Sequence, residues 1–227
     1  MEQFTNKVIQ GDCLEVMKDI PDKSVDMVLT SPPYNIGNMH SNDIQFGTYS
    51  GNNMKEDVYQ KWQVEFLNEC HRVLKEDGSM FYNHKIRIKD KKAIHPMEWL
   101  LKTNFILKQE IVWDMGKSAN SDKIRFFPYS ERIYWLVKNK ETKIFNKESL
   151  SDVWRIVPKH KRKDIGHIAV MPVEVAENII KSTEYKTILD PFAGSGTTGV
   201  ACKNLNRKYI LIEKEPEYID IINKRLS

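Results

Sequence analysis

Hydrophobic and polar positions follow one another along this chain in blocks that predict short strands and amphipathic helices in turn. An apolar run over 25–29 ends shortly before two consecutive prolines, which is typical of a buried strand that stops at a rigid turn. Residues 35–53 are rich in Asn, Gly and Ser and predict a long loop. Residues 58–74 then carry apolar side chains at helical spacing, and Asp77–Gly78 closes that helix.

The rest of the chain continues this alternation, most regularly in its last third. Further strands are predicted over 79–82, 106–113, 133–137, 187–189 and 209–212, and helices near 97–101, 173–180, 200–205 and 219–226. Strands that alternate with helices are typical of a mostly parallel sheet with right-handed crossovers and helices on both faces. We therefore predict an α/β fold in which residues 1–227 form a single domain.

Composition places the chain among ordinary globular proteins, with 41% hydrophobic and 29% charged residues. No apolar run reaches the roughly 20 residues of a membrane span, and the first residues do not resemble a secretory signal. We therefore expect a cytoplasmic protein without a membrane partner. Cys13, Cys70 and Cys202 lack metal-ligand spacing, so no metal site is predicted.

Basic residues are concentrated in two stretches, although the net charge is only +4. The first contains Lys85, Arg87, Lys89, Lys91 and Lys92; the second contains Lys159, Lys161, Arg162 and Lys163. Each could neutralise phosphates of a nucleic acid, but taken alone a solvated basic surface is the favoured interpretation.

A glycine-rich loop follows the predicted strand at 187–189. Gly194, Gly196 and Gly199 permit positive φ angles and close approach of a ligand to the backbone, as in dinucleotide-binding loops. Glu213 ends the next strand, where a carboxylate can accept both hydroxyls of a ribose. A nucleoside-bearing cofactor is therefore favoured over a turn whose glycines serve packing only. Asp190 stands at the strand end, where it could meet a cationic group such as a methionine amino group.

The tetrapeptide Ser31-Pro32-Pro33-Tyr34 indicates the chemistry. Consecutive prolines fix φ and remove two amide donors, so a carbonyl can be presented rigidly. Tyr34 offers a flat face on which an extruded base can stack. The alternative is a proline turn with a packed tyrosine, which the presence of the glycine loop elsewhere in the chain makes less attractive.

Together these segments resemble the amino-methyltransferases that act on DNA. The 30–35 segment is similar to their catalytic motif, (D/N/S)PP(Y/F), and 190–199 is similar to their cofactor motif. Because the catalytic motif comes first, the chain resembles the circularly permuted beta group of that family. The resemblance implies a Rossmann-like methyltransferase fold, circularly permuted, with a mostly parallel seven-stranded sheet, and S-adenosylmethionine as the cofactor.

The resemblance also implies roles for individual residues. Ser31 Oγ and the Pro32 carbonyl would accept the two amino hydrogens of a flipped base, and Tyr34 would stack on that base. Asp12 would hold the cofactor adenine, Glu213 its ribose, and Asp190 its methionine end. The full cofactor-binding set implied is Asp12, Cys13, Asp190, Phe192, Gly194, Ser195, Gly196, Thr197 and Glu213.

The expected function is methylation of double-stranded DNA at an exocyclic amino nitrogen. In the family, Ser before Pro-Pro-Tyr usually accompanies cytosine N4 as the target, and adenine N6 is the alternative. Residues 36–55 and 138–163 are the expected DNA-contacting segments. The sequence determines neither a cognate restriction endonuclease as partner nor a homodimer.

Competing classes explain less of the chain. A nicotinamide oxidoreductase leaves Ser31 and Tyr34 without a role, and a cofactor-free nucleic-acid-binding module leaves Asp190 and Glu213 without one. An RNA or protein N-methyltransferase is the nearest rival, but in those enzymes the similar tetrapeptide follows the cofactor motif.

Overall fold

Strands and helices alternate along the chain in the computed structural model, which describes residues 1–36, 53–116, 126–146, 148–158 and 171–227. The strands are β1 (Lys7–Gln10), β2 (Val25–Thr30), β3 (Leu74–His84), β4 (Arg87–Lys89), β5 (Lys92–Ile94), β6 (Ile106–Asp114), β7 (Ser130–Val137), β8 (Val153–Arg155), β9 (Thr187–Asp190) and β10 (Lys208–Glu213). The helices are α1 (Cys13–Met17), α2 (Glu56–Val73), α3 (Met97–Leu100), α4 (Val173–Lys181), α5 (Thr197–Asn204) and α6 (Pro216–Leu226).

The main sheet has the strand order β1-β10-β9-β2-β3-β7-β6-β8 within the described ranges. Strands β1, β10, β9, β2 and β3 pair in parallel, β7 lies antiparallel between β3 and β6, and β8 is parallel to β6. The predicted α/β fold with a mostly parallel sheet is confirmed. The sheet has eight strands where seven were expected, because the three-residue β8, too short to show alternation, extends its edge.

Helices cover both faces of this sheet, as the sequence predicts. Along β2, Val28 packs on the face covered by α1, α2 and α3, whereas Met27 and Leu29 pack on the face covered by α4 and α5. This alternation is the two-residue period of a strand buried on both sides. The α6 residue Ile222 packs with Leu211 of β10 in a smaller cluster.

The basic stretch over 85–92 forms the β4–β5 hairpin, which the sequence analysis did not predict. Asp90 and Lys91 occupy its turn with φ angles of 50° and 63°. Two consecutive positive φ angles are characteristic of the turns that match strand twist in two-residue hairpins.

The order in which successive strands are added to the sheet reverses between the neighbouring parallel strands β9 and β2. From β9 the chain proceeds to β10 on one side, and from β2 it proceeds to β3 on the other. Open α/β sheets bind ligands at such a reversal, outside the carboxyl ends of the strands. No helix in the described parts of the chain is long and apolar enough to cross a membrane.

Candidate functional site

The carboxyl ends of four adjacent parallel strands bring the predicted site residues to one edge of the sheet. Thr30 ends β2, Asp190 ends β9 and Glu213 ends β10, while Asp12 follows β1 by two residues. These residues are far apart along the chain, and the parallel topology places them side by side.

The glycine loop is fixed by its backbone and by one carboxylate. Gly194 and Gly196 have φ angles of 51° and 80°, so the positive φ expected for these glycines is present. The Gly194 amide donates to Glu213 Oε2 at 2.7 Å. A Cβ atom on Gly196 would lie 3.0 Å from the Ile222 side chain, so this position is restricted both in conformation and in space.

Gly199 has a different role from the two loop glycines. It lies within α5, and a Cβ atom there would approach Leu211 Cδ1 to 2.6 Å. This glycine allows the helix to pack closely on β10, as the third glycine of a dinucleotide-binding loop does.

Asp190, at the end of β9, links that strand to the end of β2, where the order of strands in the sheet reverses. Its buried carboxylate accepts hydrogen bonds from Thr30 Oγ1 at 2.7 Å, Thr198 Oγ1 at 2.6 Å and the Phe192 amide at 3.1 Å. Burial raises the pKa of the Asp190 carboxyl to about 6, although these hydrogen bonds favour the charged form. The carboxyl therefore titrates close to neutral pH and ties β2 to the glycine loop.

Two further carboxylates are held by local backbone bonds. Glu213 is buried, and its Oε1 accepts from the Glu215 amide at 2.9 Å. Asp12 caps α1 through a 3.1 Å bond from the Leu14 amide, and its other oxygen lies 3.4 Å from Lys214 Nζ. Both side chains are thereby directed by the turns that follow their strands.

A cavity lies between these carboxylates and an aromatic wall. Its lining residues are Gly11, Asp12, Cys13, Pro33, Trp62, Pro191, Phe192, Glu213 and Lys214. The rings of Trp62 and Phe192 meet edge to face, with centroids 5.7 Å apart. An apolar wall beside two carboxylates suits an adenosine, whose base needs an apolar contact and whose ribose hydroxyls need acceptors.

Most of the predicted cofactor residues line this cavity or shape its loop, but two are engaged elsewhere. Ser195 Oγ accepts from Arg225 at 3.0 Å, and Thr197 Oγ1 donates to the Met171 carbonyl at 3.2 Å. The Cys13 thiol is buried in the lining, and burial raises its pKa, so it is a packed thiol and not a nucleophile. The described residues contain no cluster of His, Cys, Asp and Glu able to hold a metal ion.

The predicted catalytic tetrapeptide begins at the carboxyl end of β2 and forms a polar cluster. Ser31 Oγ lies 2.7 Å from Tyr34 Oη, and Tyr34 Oη lies 2.9 Å from Asn83 Oδ1 and 3.0 Å from Glu131 Oε2. Asn83 ends near the tip of β3, and its amide donates to the Arg132 carbonyl, which fixes Oδ1 toward Tyr34. We call Ser31, Tyr34, Asn83 and Glu131 the Tyr34 cluster.

The Tyr34 ring has two further neighbours. The His84 ring lies with its centroid 4.5 Å away and tilted by 45°, and Lys85 Nζ lies 5.4 Å from the Tyr34 ring centroid. Burial and the Glu131 carboxyl raise the pKa of Tyr34 well above its usual range, so the phenol is neutral.

A second hydrogen-bond network supports the tetrapeptide from the core. Tyr59 Oη lies 2.8 Å from both the Pro33 carbonyl and His84 Nε2, and it accepts from Gln63 Nε2 at 2.7 Å. Gln63 Oε1 in turn accepts from Tyr82, whose hydroxyl accepts from the Trp99 indole. The sequence analysis missed this network, because Gln63 stands among the apolar positions of an amphipathic helix and carries no motif.

The structure describes only the first of the two predicted basic stretches, and residues within it have different roles. Arg87 is buried, donates to both carboxylate oxygens of Glu56 and packs against the Tyr59 ring at 4.7 Å. Arg87 is therefore a structural residue, and its proposed contact with phosphate is wrong because its charge is already paired. Lys91 and Lys92 are exposed at the hairpin turn. The stretch from Lys159 to Lys163 lies outside the described residues.

The two predicted DNA-contacting segments are only partly described. Of 36–55, residues 37–52 lie outside the described ranges. Strand β7 runs antiparallel, so its end carries 138–146 to the edge opposite the site, where Lys138 Nζ donates to the Leu74 carbonyl. Strand β8, which is parallel to β6, then runs back toward the site edge and ends at Arg155.

Comparison with known proteins places this architecture among methylases. A family model described as DNA methylase, for N6 and N4 methyltransferases, matches residues 25–224. The chain is 34% identical over 263 residues to the Type II methyltransferase M.BglII of Bacillus subtilis, covering all of this chain and 70% of that protein. It is 29% identical to the DNA adenine methyltransferase YhdJ of Escherichia coli strain K12, covering 97% of this chain and 82% of that protein.

Solved structures show the same fold. The cytosine-N4-specific PvuII DNA methyltransferase superposes with a TM-score of 0.82 at 22% identity, covering 98% of this chain and 86% of that one. The M1.HpyAVI complex with SAM superposes with a TM-score of 0.70 at 25% identity, covering 97% of this chain and 99% of the other.

Proposed function

We propose that this protein methylates the N4 atom of cytosine in DNA. The chain belongs to the DNA methylase family. The family is that of the S-adenosylmethionine-dependent N6 and N4 DNA methyltransferases. Which amino group receives the methyl is the open choice within that family. Ser31 supports cytosine, because in the family that the sequence resembles a serine before Pro-Pro-Tyr usually accompanies cytosine N4 as the target. The Tyr34 cluster supports the role of that serine as an acceptor.

The observation that carries the proposal is the bond between Ser31 Oγ and Tyr34 Oη at 2.7 Å. Tyr34 needs its own hydrogen for the acceptors Asn83 and Glu131, so Ser31 is the donor in this pair. With its hydrogen directed to Tyr34, Ser31 Oγ retains lone pairs that can accept a hydrogen from a base. Serine is therefore held as an acceptor toward an exocyclic amino group.

An acceptor is what amino methylation requires. The lone pair of an exocyclic amino nitrogen is delocalised into the ring, which makes the nitrogen a weak nucleophile. Hydrogen bonds from both amino hydrogens to Ser31 Oγ and the Pro32 carbonyl would draw the nitrogen toward a tetrahedral geometry as it reacts. Tyr59 would hold the adjoining Pro33 carbonyl and so keep the turn rigid.

The cofactor cavity meets the tetrapeptide at Pro33, which lines it. S-adenosylmethionine, when bound, supplies a methyl group activated by a positively charged sulfur. Glu213 and Asp12 would hold the nucleoside end against the wall formed by Trp62 and Phe192, and Asp190 would face the cationic methionine end. Positioning of base and methyl donor in line would supply most of the rate.

The surface around the Tyr34 cluster suits duplex DNA. Lys85, Lys91 and Lys92 stand on or beside the β4–β5 hairpin and can neutralise phosphates. Phe126 is 99% exposed, and Phe127 and Tyr129 are also exposed, just before the β7 residue Glu131. Exposed aromatic rings beside an acceptor site are suited to stack on bases when one leaves the helix.

The test is the identity of the methylated nucleoside. Unmethylated genomic DNA incubated with the protein and S-adenosylmethionine should yield N4-methylcytosine by mass spectrometry of the nucleosides. N6-methyladenine as the product would refute the choice of cytosine and favour adenine, as the name of the Escherichia coli relative suggests. A Ser31→Ala variant, which lacks the acceptor but retains the cofactor cavity, is the matched control and should lose product without losing cofactor affinity.

A further inference from the structure

The Tyr34 cluster contains fewer hydrogens than its contacts require. Three oxygen–oxygen contacts of 2.7, 2.9 and 3.0 Å meet at Tyr34 Oη, and each needs one hydrogen. Ser31 and Tyr34 supply one hydrogen each. Asn83 Oδ1 supplies none, because its amide group is turned to the Arg132 carbonyl. With Glu131 ionised the cluster is therefore one hydrogen short, and Glu131 is the member that can take up the missing one.

We propose that Glu131 accepts, through Tyr34 and Ser31, the proton that the base nitrogen releases on methyl transfer. The inference rests on the proposed function, because Ser31 must be the residue that meets the amino group. Glu131 contacts Tyr34 and not the base, so it acts as a positioning residue that completes the cluster.

Atoms and charges balance along this path. The base nitrogen forms a bond to the methyl carbon while the carbon–sulfur bond breaks and its electron pair stays on sulfur. The positively charged nitrogen then gives one proton to Ser31 Oγ, Ser31 gives its own to Tyr34 Oη, and Tyr34 gives its own to Glu131 Oε2. The methylated amino group and the Glu131 carboxyl both end neutral, and the carboxyl later returns its proton to water.

The surroundings of Glu131 favour uptake of a proton. Burial raises the pKa of the Glu131 carboxyl, while Lys85 opposes that rise. The neighbouring Arg132 is directed away, since its Nε lies 2.8 Å from Glu110 on β6. Tyr34 remains neutral, so it can pass a hydrogen on without holding a charge.

His84 is the other titratable group against Tyr34, and it does not compete for the proton. Its Nδ1 donates to the Lys85 carbonyl, and burial lowers the pKa of His84 to about 3. Its Nε2 is turned to Tyr59 and not to Ser31 or Tyr34 Oη. The geometry therefore leaves Glu131 as the acceptor.

Glu131→Gln tests the relay sharply. A glutamine amide can donate to Tyr34 Oη, so it supplies the third hydrogen permanently and cannot accept another. Single-turnover methylation of unmethylated genomic DNA with tritiated S-adenosylmethionine should slow by about 10²-fold, the lower end of proton-transfer effects. The wild-type rate should rise with pH as Glu131 ionises, and E131Q should lack that rise while binding S-adenosylmethionine with unchanged affinity.

Glu110→Gln is the matched control, because Glu110 pairs with Arg132 and does not touch the Tyr34 cluster. E110Q should keep the wild-type rate and pH profile. An E131Q protein as fast as wild type, with the same pH profile, would overturn the relay. Should E131Q fail to fold, Glu131→Asp decides: a retained pH-dependent rise supports the relay, and its loss refutes it. A wild-type protein that labels no DNA would instead refute the proposed function itself.

Discussion

The cofactor cavity and the Tyr34 cluster lie at the same edge of the sheet but are built from different kinds of bonds. Around the cavity, carboxylates accept from backbone amides close in sequence, as Glu213 does from Glu215 and Asp12 from Leu14. In the Tyr34 cluster, side chains bond to side chains on other strands, with Tyr34 and Glu131 separated by 97 positions.

This difference has an energetic consequence. Backbone amides are held by the fold itself, so the cavity loses little when one side chain is changed. A side-chain cluster depends on each of its members, since removal of one leaves the others buried without a partner. We therefore expect substitutions around the cavity to change cofactor affinity, and substitutions in the Tyr34 cluster to change turnover.

Gly196→Val should have the largest effect. It should lower the affinity for S-adenosylmethionine and leave the Tyr34 cluster unchanged. A valine at φ 80° is strained, and its side chain would meet Ile222. The two costs together are about 2–5 kcal/mol, or at least about thirtyfold in affinity for S-adenosylmethionine. Calorimetric titration measures this loss. Gly116→Val, at φ 64° but away from the glycine loop, is the control and should leave affinity unchanged; unchanged affinity in G196V would contradict the assignment of the loop.

Tyr34→Phe should lower turnover by about 1–3 kcal/mol, roughly 5- to 150-fold, with cofactor affinity unchanged. The substitution keeps the ring but leaves Ser31, Asn83 and Glu131 without their shared hydroxyl. The stacking role implied by the sequence would by itself predict a milder effect, because the ring face is kept. Tyr34→Ala removes both the ring and the hydroxyl, so the difference in turnover between Tyr34→Ala and Tyr34→Phe measures what the ring contributes. Wild-type turnover in Tyr34→Phe would show that Tyr34 acts by stacking only.

The affinity for S-adenosylmethionine should fall as the pH drops below about 6, by at most about tenfold per pH unit. The pKa of Asp190 is raised to about 6, so protonation stabilises the free protein and removes the negative charge that would face the cationic methionine end. The stability that Asp190 contributes is accordingly present at low pH and lost as the pH rises through about 6. Titrations on both sides of that pH measure the change, and Asp190→Asn should abolish it; a pH-independent wild-type affinity would contradict the role of Asp190.

Tyr59→Phe should have the smallest effect on turnover, because Tyr59 contacts the tetrapeptide only through the Pro33 carbonyl. It also removes the contacts of Tyr59 Oη with His84 and Gln63, so it should destabilise the fold by about 1–3 kcal/mol. In a domain of this size that lowers the Tm by about 2–12 °C. Turnover should fall less than in Tyr34→Phe. Tyr185→Phe removes a comparable bond to the Asp77 carbonyl at the opposite edge, so it should lower the Tm without changing turnover. Equal turnover losses in both variants would show that the Tyr59 network does not position the tetrapeptide.

The sequence predicted what is local in the chain. The strand, glycine loop and helix around Asp190 lie in one contiguous segment, so periodicity and residue type were enough to place them. The same holds for the turn after β2, where two prolines leave few backbone conformations. The mostly parallel sheet also followed, because strands that alternate with helices are joined by right-handed crossovers.

Residues brought together by tertiary structure were missed. Trp62 occupies an apolar position of α2, where a cavity wall and a core residue give the same periodicity. Asn83 and Glu131 each stand near a strand end, and that position was the one available signal. Neither segment indicates that the two residues become neighbours in the folded protein. Arg87 was misjudged because its partner Glu56 lies 31 positions away on α2.

The side chain of Asn35 closes a loop, and this closure makes the position of Tyr34 independent of the length of that loop. Its side chain accepts from the Met54 amide at 2.8 Å and donates to the Met54 carbonyl at 3.0 Å. The chain therefore leaves and re-enters the fold at one point, next to Tyr34 and the start of α2. The entropy of closing a loop grows only slowly with its length. Insertions and deletions between these two residues can accumulate without shifting Tyr34, so the length of the predicted DNA-contacting segment can change independently of the Tyr34 cluster.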